Sequence, residues 1–121
     1  MILRIPATTG HVGLARATAT ALAARLDFTY DRLTDLHIAI DEVCGRVLAA
    51  SEPPARRLEL TLEPSGDSLR VSVRADSPLK PGAQFLNAWS QVILDTIVSD
   101  LQVEPEHRTI AVSFVVRREA G

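Results

Sequence analysis

Aromatic residues are scarce in this chain. One Trp, one Tyr and three Phe make up 4% of it, too few to build a stacking platform for single-stranded nucleic acid. Cys44 is the single cysteine, so an internal disulfide is excluded. Met1–Pro6 shows no basic start followed by an apolar stretch, and the expected setting is a reducing cytoplasm. No apolar run reaches about 18 residues, so no membrane-spanning helix is expected. Positive charge is not in excess either: 13 basic against 15 acidic residues leaves −2. That argues against direct binding to a phosphate backbone. His11, His37 and His107 fall in separate segments, without cysteine or carboxylate at metal-ligand spacing. They read as surface residues, and no metal site is expected. No serine-nucleophile motif is present.

What is there suits a soluble globular protein. Hydrophobic residues are 46% of 121 and charged residues 23%, enough to form one core, and residues 1–121 read as a single domain. Met1 to Ala7 reads as an edge strand stopped by Pro6. Thr8, Thr9 and Gly10 form a turn and N-cap. From His11 to Leu26 an alanine-rich helix carries Val12, Ala15, Ala19 and Leu22 on one stripe, and Asp27–Thr29 ends it. Tyr30 to Ser51 has the strongest periodicity. Leu36, Ile40, Val43, Cys44 and Val47 follow the three-and-four rule of a buried face, and Pro53–Pro54 stop the helix.

The period then changes to two. Leu58, Leu60 and Leu62, a turn at Pro64–Asp67, then Leu69, Val71, Val73 and Ala75 predict a hairpin with one wet face. Ser77–Ala83 reads as a loop. Phe85–Val98 reads as a third helix with Trp89 in the core, or alternatively as a partner-facing anchor. Leu101 and Val103 begin a strand, Glu104–Arg108 turn, and Ile110–Val116 form the last strand. The sum is an α+β, two-layer sandwich: a mainly antiparallel sheet covered on one face by three helices.

The chemistry-bearing residues gather on the second helix. Glu42 and Arg46 lie four apart, a spacing that suits an exposed ion pair worth about 0.2–0.5 kcal/mol. Glu42 has the other option of acting as a general base. Cys44 lies on the apolar face and reads as buried and inert. Asp76 ends the second strand of the hairpin, where Asp commonly forms turns. On the first helix, Arg16 is one step off the buried stripe. It reads as solvated or as a protein-contact arginine, with His11, Val12 and Thr20 flanking the same exposed side.

The element order, with Leu36, Ala39 and Glu42 at the spacing L-x-x-A-x-x-E, resembles the GHKL (Bergerat-type) ATPase fold. More narrowly it resembles the anti-sigma factors and serine kinases of the RsbW and SpoIIAB type. Asp41-Glu42-Val43-Cys44 is most like the actinobacterial RsbW relatives. Leu14-Ala15-Arg16 resembles the family segment carrying a partner-contacting arginine. The resemblance implies Mg-ATP binding, with Glu42 as base, an asparagine at the position of Arg46, and Asp76 on adenine. Three departures weaken that implication. Arg46 replaces the asparagine, and a guanidinium has no acceptor for magnesium. Asp76 is followed by Ser77-Pro78 instead of glycines. Phe85-Leu86-Asn87-Ala88-Trp89 lacks the lid glycines that supply phosphate-binding amides, and Ser77–Ala83 is short for a lid.

The resemblance therefore implies a protein that sequesters a sigma factor and is released by an anti-anti-sigma factor. Its cofactor site, drawn from Glu42, Arg46 and Asp76, would be eroded, with ATP and magnesium held weakly or not at all. Its partner contacts would come from Arg16, Val12 and Thr20, and the family's habits suggest a homodimer. The alternatives are an active ATP-dependent serine kinase with Glu42 catalytic, and a regulatory scaffold for an unrelated partner.

Overall fold

The computed structural model describes residues 1–119. They form five strands and three helices in the order β1 (Ile2–Pro6), α1 (Thr9–Arg25), α2 (Tyr30–Ala50), β2 (Arg57–Ser65), β3 (Ser68–Ala75), α3 (Ala88–Ile97), β4 (Ser99–Pro105) and β5 (Ile110–Arg117). The strands make one antiparallel sheet in the order β1-β2-β3-β5-β4. The fold is the α+β sandwich the sequence predicts.

The alternation expected of the strands decides which face is covered. Leu58, Leu60, Leu62, Leu69, Val71, Val73, Ile110, Val112, Phe114 and Val116 are all fully buried beneath the helices. The intervening Glu59, Thr61, Arg70, Ser72, Arg74 and Ser113 line the opposite, polar face. α2 lies centrally and buries Leu36, Ala39, Ile40, Val43, Cys44 and Val47 against the sheet. Thr29 caps it, its hydroxyl accepting from the amide of Arg32, and Asp31 sits in the first turn where the helix dipole favours it. α1 approaches closely because its buried residues are small: Ala15, Ala19 and Ala23 are wholly enclosed. Asp27 closes α1 with φ 63°, a left-handed residue at the expected break.

Three sequence expectations need correcting. α3 begins at Ala88 and not at Phe85, because Asn87 accepts from the amide of Ser90 at 2.8 Å and caps the helix there. Phe85 instead anchors the preceding segment in the core. Trp89 is 72% exposed and not core. The buried stripe of α3 runs through Ser90 and Leu94, which turns Trp89 and its neighbour one turn on, Val92, outward. Val12 is buried and not on the exposed side. Among the described residues no helix is long and apolar enough to cross a membrane.

Candidate functional site

α2 carries charge on both flanks of its buried stripe. Its left and right neighbours differ, so the two flanks do different things. On the α1 flank, Asp41 receives Arg16: one guanidinium nitrogen donates to both carboxylate oxygens, at 2.9 and 3.0 Å. His37, one turn earlier on α2, places its Nε2 at 3.6 Å from the same carboxylate. Side-chain exposures of 34% for Arg16 and 40% for Asp41 leave the pair open to water. Exposed pairs of this kind contribute about 0–1 kcal/mol to folding.

This pair sits in a groove of about 430 Å³ between α1 and α2, bordered also by Val12, Gly13, Gly45 and Leu48. The glycines keep it open. A Cβ added at Gly45 would meet nothing within 4 Å, and one at Gly13 would reach only the Arg16 guanidinium, at 3.5 Å. Val12 thus contributes an apolar wall from below. Thr20 is half-buried one turn further on, its hydroxyl donating to the carbonyl oxygens of Arg16 and Ala17.

The other flank is closed. Glu42 accepts a hydrogen bond from the Ser90 hydroxyl, and Ser90 is 1% exposed. Arg46 donates from Nε to the carbonyl oxygen of Phe85 at 3.0 Å. The pairing of Glu42 with Arg46 that their spacing suggests is not what forms. Each instead holds the segment 85–90 against α2. Phe85 and Leu86 are buried beneath that clasp, so apolar burial and the two polar contacts reinforce each other. Ahead of this segment the chain is tied down as well. Glu52 N donates to Pro78 O at 3.0 Å, and Lys80 N to Ala50 O at 2.8 Å.

Asp76 serves the hairpin's end. Its Oδ1 accepts from the backbone amides of Arg56 at 2.8 Å and Arg57 at 3.2 Å. It borders a cleft of about 210 Å³ with Arg4, Arg57, Glu59 and Arg74, which neither Glu42 nor Arg46 lines. Cys44 is enclosed, and burial, followed by the nearby Asp41 charge, pushes its thiol up to about 12. It is inert as a nucleophile at neutral pH.

Sequence reading picked out Arg16, Glu42, Arg46 and Asp76 but missed the partners of all four. Asp41, Ser90 and Phe85 carried signals too weak to use. Only the cap at Asn87, a strong N-cap residue ahead of Ala-Trp-Ser, could have placed the start of α3 and with it Ser90 in the first turn.

Comparison with known proteins extends this picture. A family model described as a histidine kinase-like ATPase domain matches residues 5–87. The chain is similar to the serine-protein kinase RsbW of Bacillus cereus strain AH820, 26% identical over 136 aligned positions covering 97% of this chain and 85% of that protein. Against the serine-protein kinase RsbW of Bacillus velezensis, identity is 43% over 42 residues, 35% of this chain and 26% of that one. A crystal structure of the RsbU and RsbW domains of a Mycobacterium tuberculosis protein superimposes with a TM-score of 0.72 over 97% of this chain, at 16% identity. This chain spans about a third of that longer one (32%), and the likeness is one of fold.

Proposed function

The chain belongs to the histidine kinase-like ATPase domain family, and from that premise we propose that it acts as an anti-sigma-factor-like regulatory protein. It sequesters a sigma factor, and an anti-anti-sigma factor competes for an overlapping surface and releases it. The observation that carries this reading is the closed flank of α2. Arg46 stands where the family resemblance calls for an oxygen ligand, and its guanidinium is bound to the Phe85 carbonyl. Glu42 is bound to Ser90 and Asp76 to two backbone amides. These residues do not fit a magnesium nucleotide. A guanidinium repels the cation and offers it no lone pair, and the two carboxylates already have protein donors.

The α1 flank suits a protein partner better. Asp41 holds Arg16 extended at the rim of the groove, so little side-chain entropy remains to be lost when a partner carboxylate meets it. Arg16 is the contact residue in this reading, with Val12 and Thr20 shaping the surface around it. Exchange between two partners then follows mass action at one surface.

The test is a calorimetric titration of the purified protein with ATP, with and without magnesium, paired with a phosphate-transfer assay on an anti-anti-sigma factor. The expected result is no magnesium-enhanced binding and no transfer, while the cognate sigma factor binds. Micromolar, magnesium-dependent ATP affinity with transfer to a serine of the antagonist overturns the reading. That outcome favours the second reading, an active serine kinase with Glu42 as base. It is kept because the similar Bacillus proteins bear the name serine-protein kinase and because Glu42 is only half-buried.

A further inference from the structure

α3 carries two stripes, and the more apolar one faces water. The inner stripe is Ser90 and Leu94. The outer one is Trp89, Val92, Ile93 and Thr96, the i, i+3, i+4, i+7 spacing of a packing face. Trp89 is 72% exposed and Val92 59%, and Ile93 is half-buried. The Thr96 hydroxyl donates to Val92 O at 2.7 Å. That contact spends its polar group on the helix and leaves its methyl to extend the stripe. Contiguous apolar surface of this kind marks an interaction site, where singly scattered residues do not.

α2 continues this surface. Ser90 is bonded to Glu42, and Ile97 O accepts from Arg32 at 3.2 Å, so α3 runs back along α2 from Glu42 towards its start. Ile38 lies between those two contacts, in the same row as Glu42 and one turn before it. Its side chain is also out in water, with the residue 40% exposed. Ile38 therefore falls beside the middle of α3, and with Ile93, Trp89 and Val92 it makes one apolar surface across two helices.

Charge says what the surface accepts. Asp95 is the only charged residue of α3. On the adjoining flank of α2 the cations are spent on the protein itself. Arg32 pairs with Asp35 at 2.7 Å and donates to Arg117 O and Ile97 O, and Arg46 donates to Phe85 O. Asp95 accepts from Gln91 and Glu42 from Ser90, and among the described residues neither carboxylate has a cationic partner. The rim is acidic. A second copy of this surface, or an anionic lipid surface, would bring like charges together.

We propose that this surface docks a basic amphipathic helix of a partner protein. The apolar stripe of that helix packs on Trp89, Val92, Ile93 and Ile38, and its flanking lysines or arginines meet Asp95 and Glu42. A helix suits the site because the stripe from Trp89 to Thr96 is straight and about 10 Å long, two turns of a partner. The surface lies on the flank of α2 away from the Arg16–Asp41 groove, and the proposal does not rest on the sigma-factor reading.

The probe is a capped leucine–lysine peptide of about 14 residues, its leucines at helical spacing, titrated into the full chain. One control carries glutamate in place of lysine, and another has the same leucines and lysines scrambled off helical spacing. Trp89 is the single tryptophan, so its emission reports this site alone. The expected result is a saturable blue shift as the indole leaves water, with the helical lysine peptide binding about tenfold tighter or more than either control. Val92→Lys, a change at an exposed position, weakens that binding by about tenfold or more. Should that variant fold poorly, Asp95→Lys, also exposed, reverses the preference between the lysine and glutamate peptides. No shift at millimolar peptide, equal binding of all three peptides, or binding that neither folded variant alters each overturns the proposal. A blue shift that grows with protein concentration in the absence of peptide assigns the surface to a second copy, and one produced by phosphatidylcholine vesicles assigns it to a membrane; both overturn it. Amide shifts confined to the Arg16–Asp41 groove overturn it as well, and leave the function proposed above untouched.

Discussion

Asp41 and Glu42 are adjacent in sequence, yet they serve opposite flanks of α2. A step of about 100° around the helix separates them, and what packs on each side decides their roles. Beside Asp41 lies α1, whose alanines and glycines bring its backbone in without filling the space above. The resulting ion pair stands in an open groove. Beside Glu42 lies the segment 85–90, which brings Phe85, Leu86 and the buried Ser90. One helix thus presents a sealed polar flank that holds structure together and an open polar flank whose charges are free to find something else. A carboxylate on a family-like motif is not thereby a catalytic carboxylate; its neighbours decide.

The largest test of this contrast is Phe85→Ala. Removing a buried aromatic ring costs about 3–5 kcal/mol, and urea unfolding is expected to show a loss of that size. A loss below about 1 kcal/mol would mean the flank is not sealed by this side chain. Arg16→Ala comes next and acts on a different quantity. Folding stability is expected to change by less than about 1 kcal/mol, while under the proposed function affinity for a sigma factor is expected to fall by about 10- to 100-fold, as for an arginine contact at an interface centre. Unchanged affinity for both sigma factor and antagonist would remove Arg16 from the partner surface. Ser90→Ala is smaller again. It leaves the Glu42 carboxylate without its hydroxyl donor, for an expected loss of about 1 kcal/mol. Glu42→Gln keeps an acceptor and is expected to lose less. If the two variants lose equally, charge and not hydrogen bonding holds this contact.

The sequence announced the sealed flank only in part. The α2 stripe through Leu36, Ile40, Val43 and Val47 repeats at helical spacing over 21 residues, and the β2–β3 hairpin alternates without a break. Both were legible because one element's own pattern determines which side is buried. α3 was not legible in this way. Phe85, Trp89, Val92 and Ile93 are apolar at spacings that fit several helix starts and two different inward faces. Only docking on α2 selects Ser90 and Leu94 and turns Trp89 out. Arg16 and Asp41 are 25 residues apart, and no local rule links them. The same holds for Arg32, which donates to Arg117 O at 3.0 Å and to Ile97 O at 3.2 Å and ties the start of α2 to the ends of β5 and α3. Asp76 was read as a turn former from its type and place, but the amides it accepts from belong to Arg56 and Arg57, 20 and 19 residues away, and no local rule links them. The family resemblance pointed to the right helix but carried no signal of the contacts Asp41, Glu42 and Arg46 make there.

The smallest expected effect calibrates the open flank. Arg70 and Asp100 form another exposed ion pair, on the polar face of the sheet. The hydrogen bond from Arg70, followed by that from Gln102, holds the Asp100 carboxyl below its ordinary 3.8. A carboxylate whose pKa is lowered by folding stabilises the protein fully above its unfolded value, and that contribution is lost as the pH falls through the lowered folded value. The window therefore lies below 3.8, and at neutral pH the pair is at full strength. Carboxyl NMR titration should show Asp100 ionising below that figure. Arg70→Gln should raise the midpoint towards it, and about 1 M salt should move it the same way by screening. An unshifted Asp100 would mean that a fully exposed pair on this protein does not keep its geometry in water. Arg16, equally reliant on a carboxylate in an open setting, would then reach its partner as a freely moving cation and not as a positioned one.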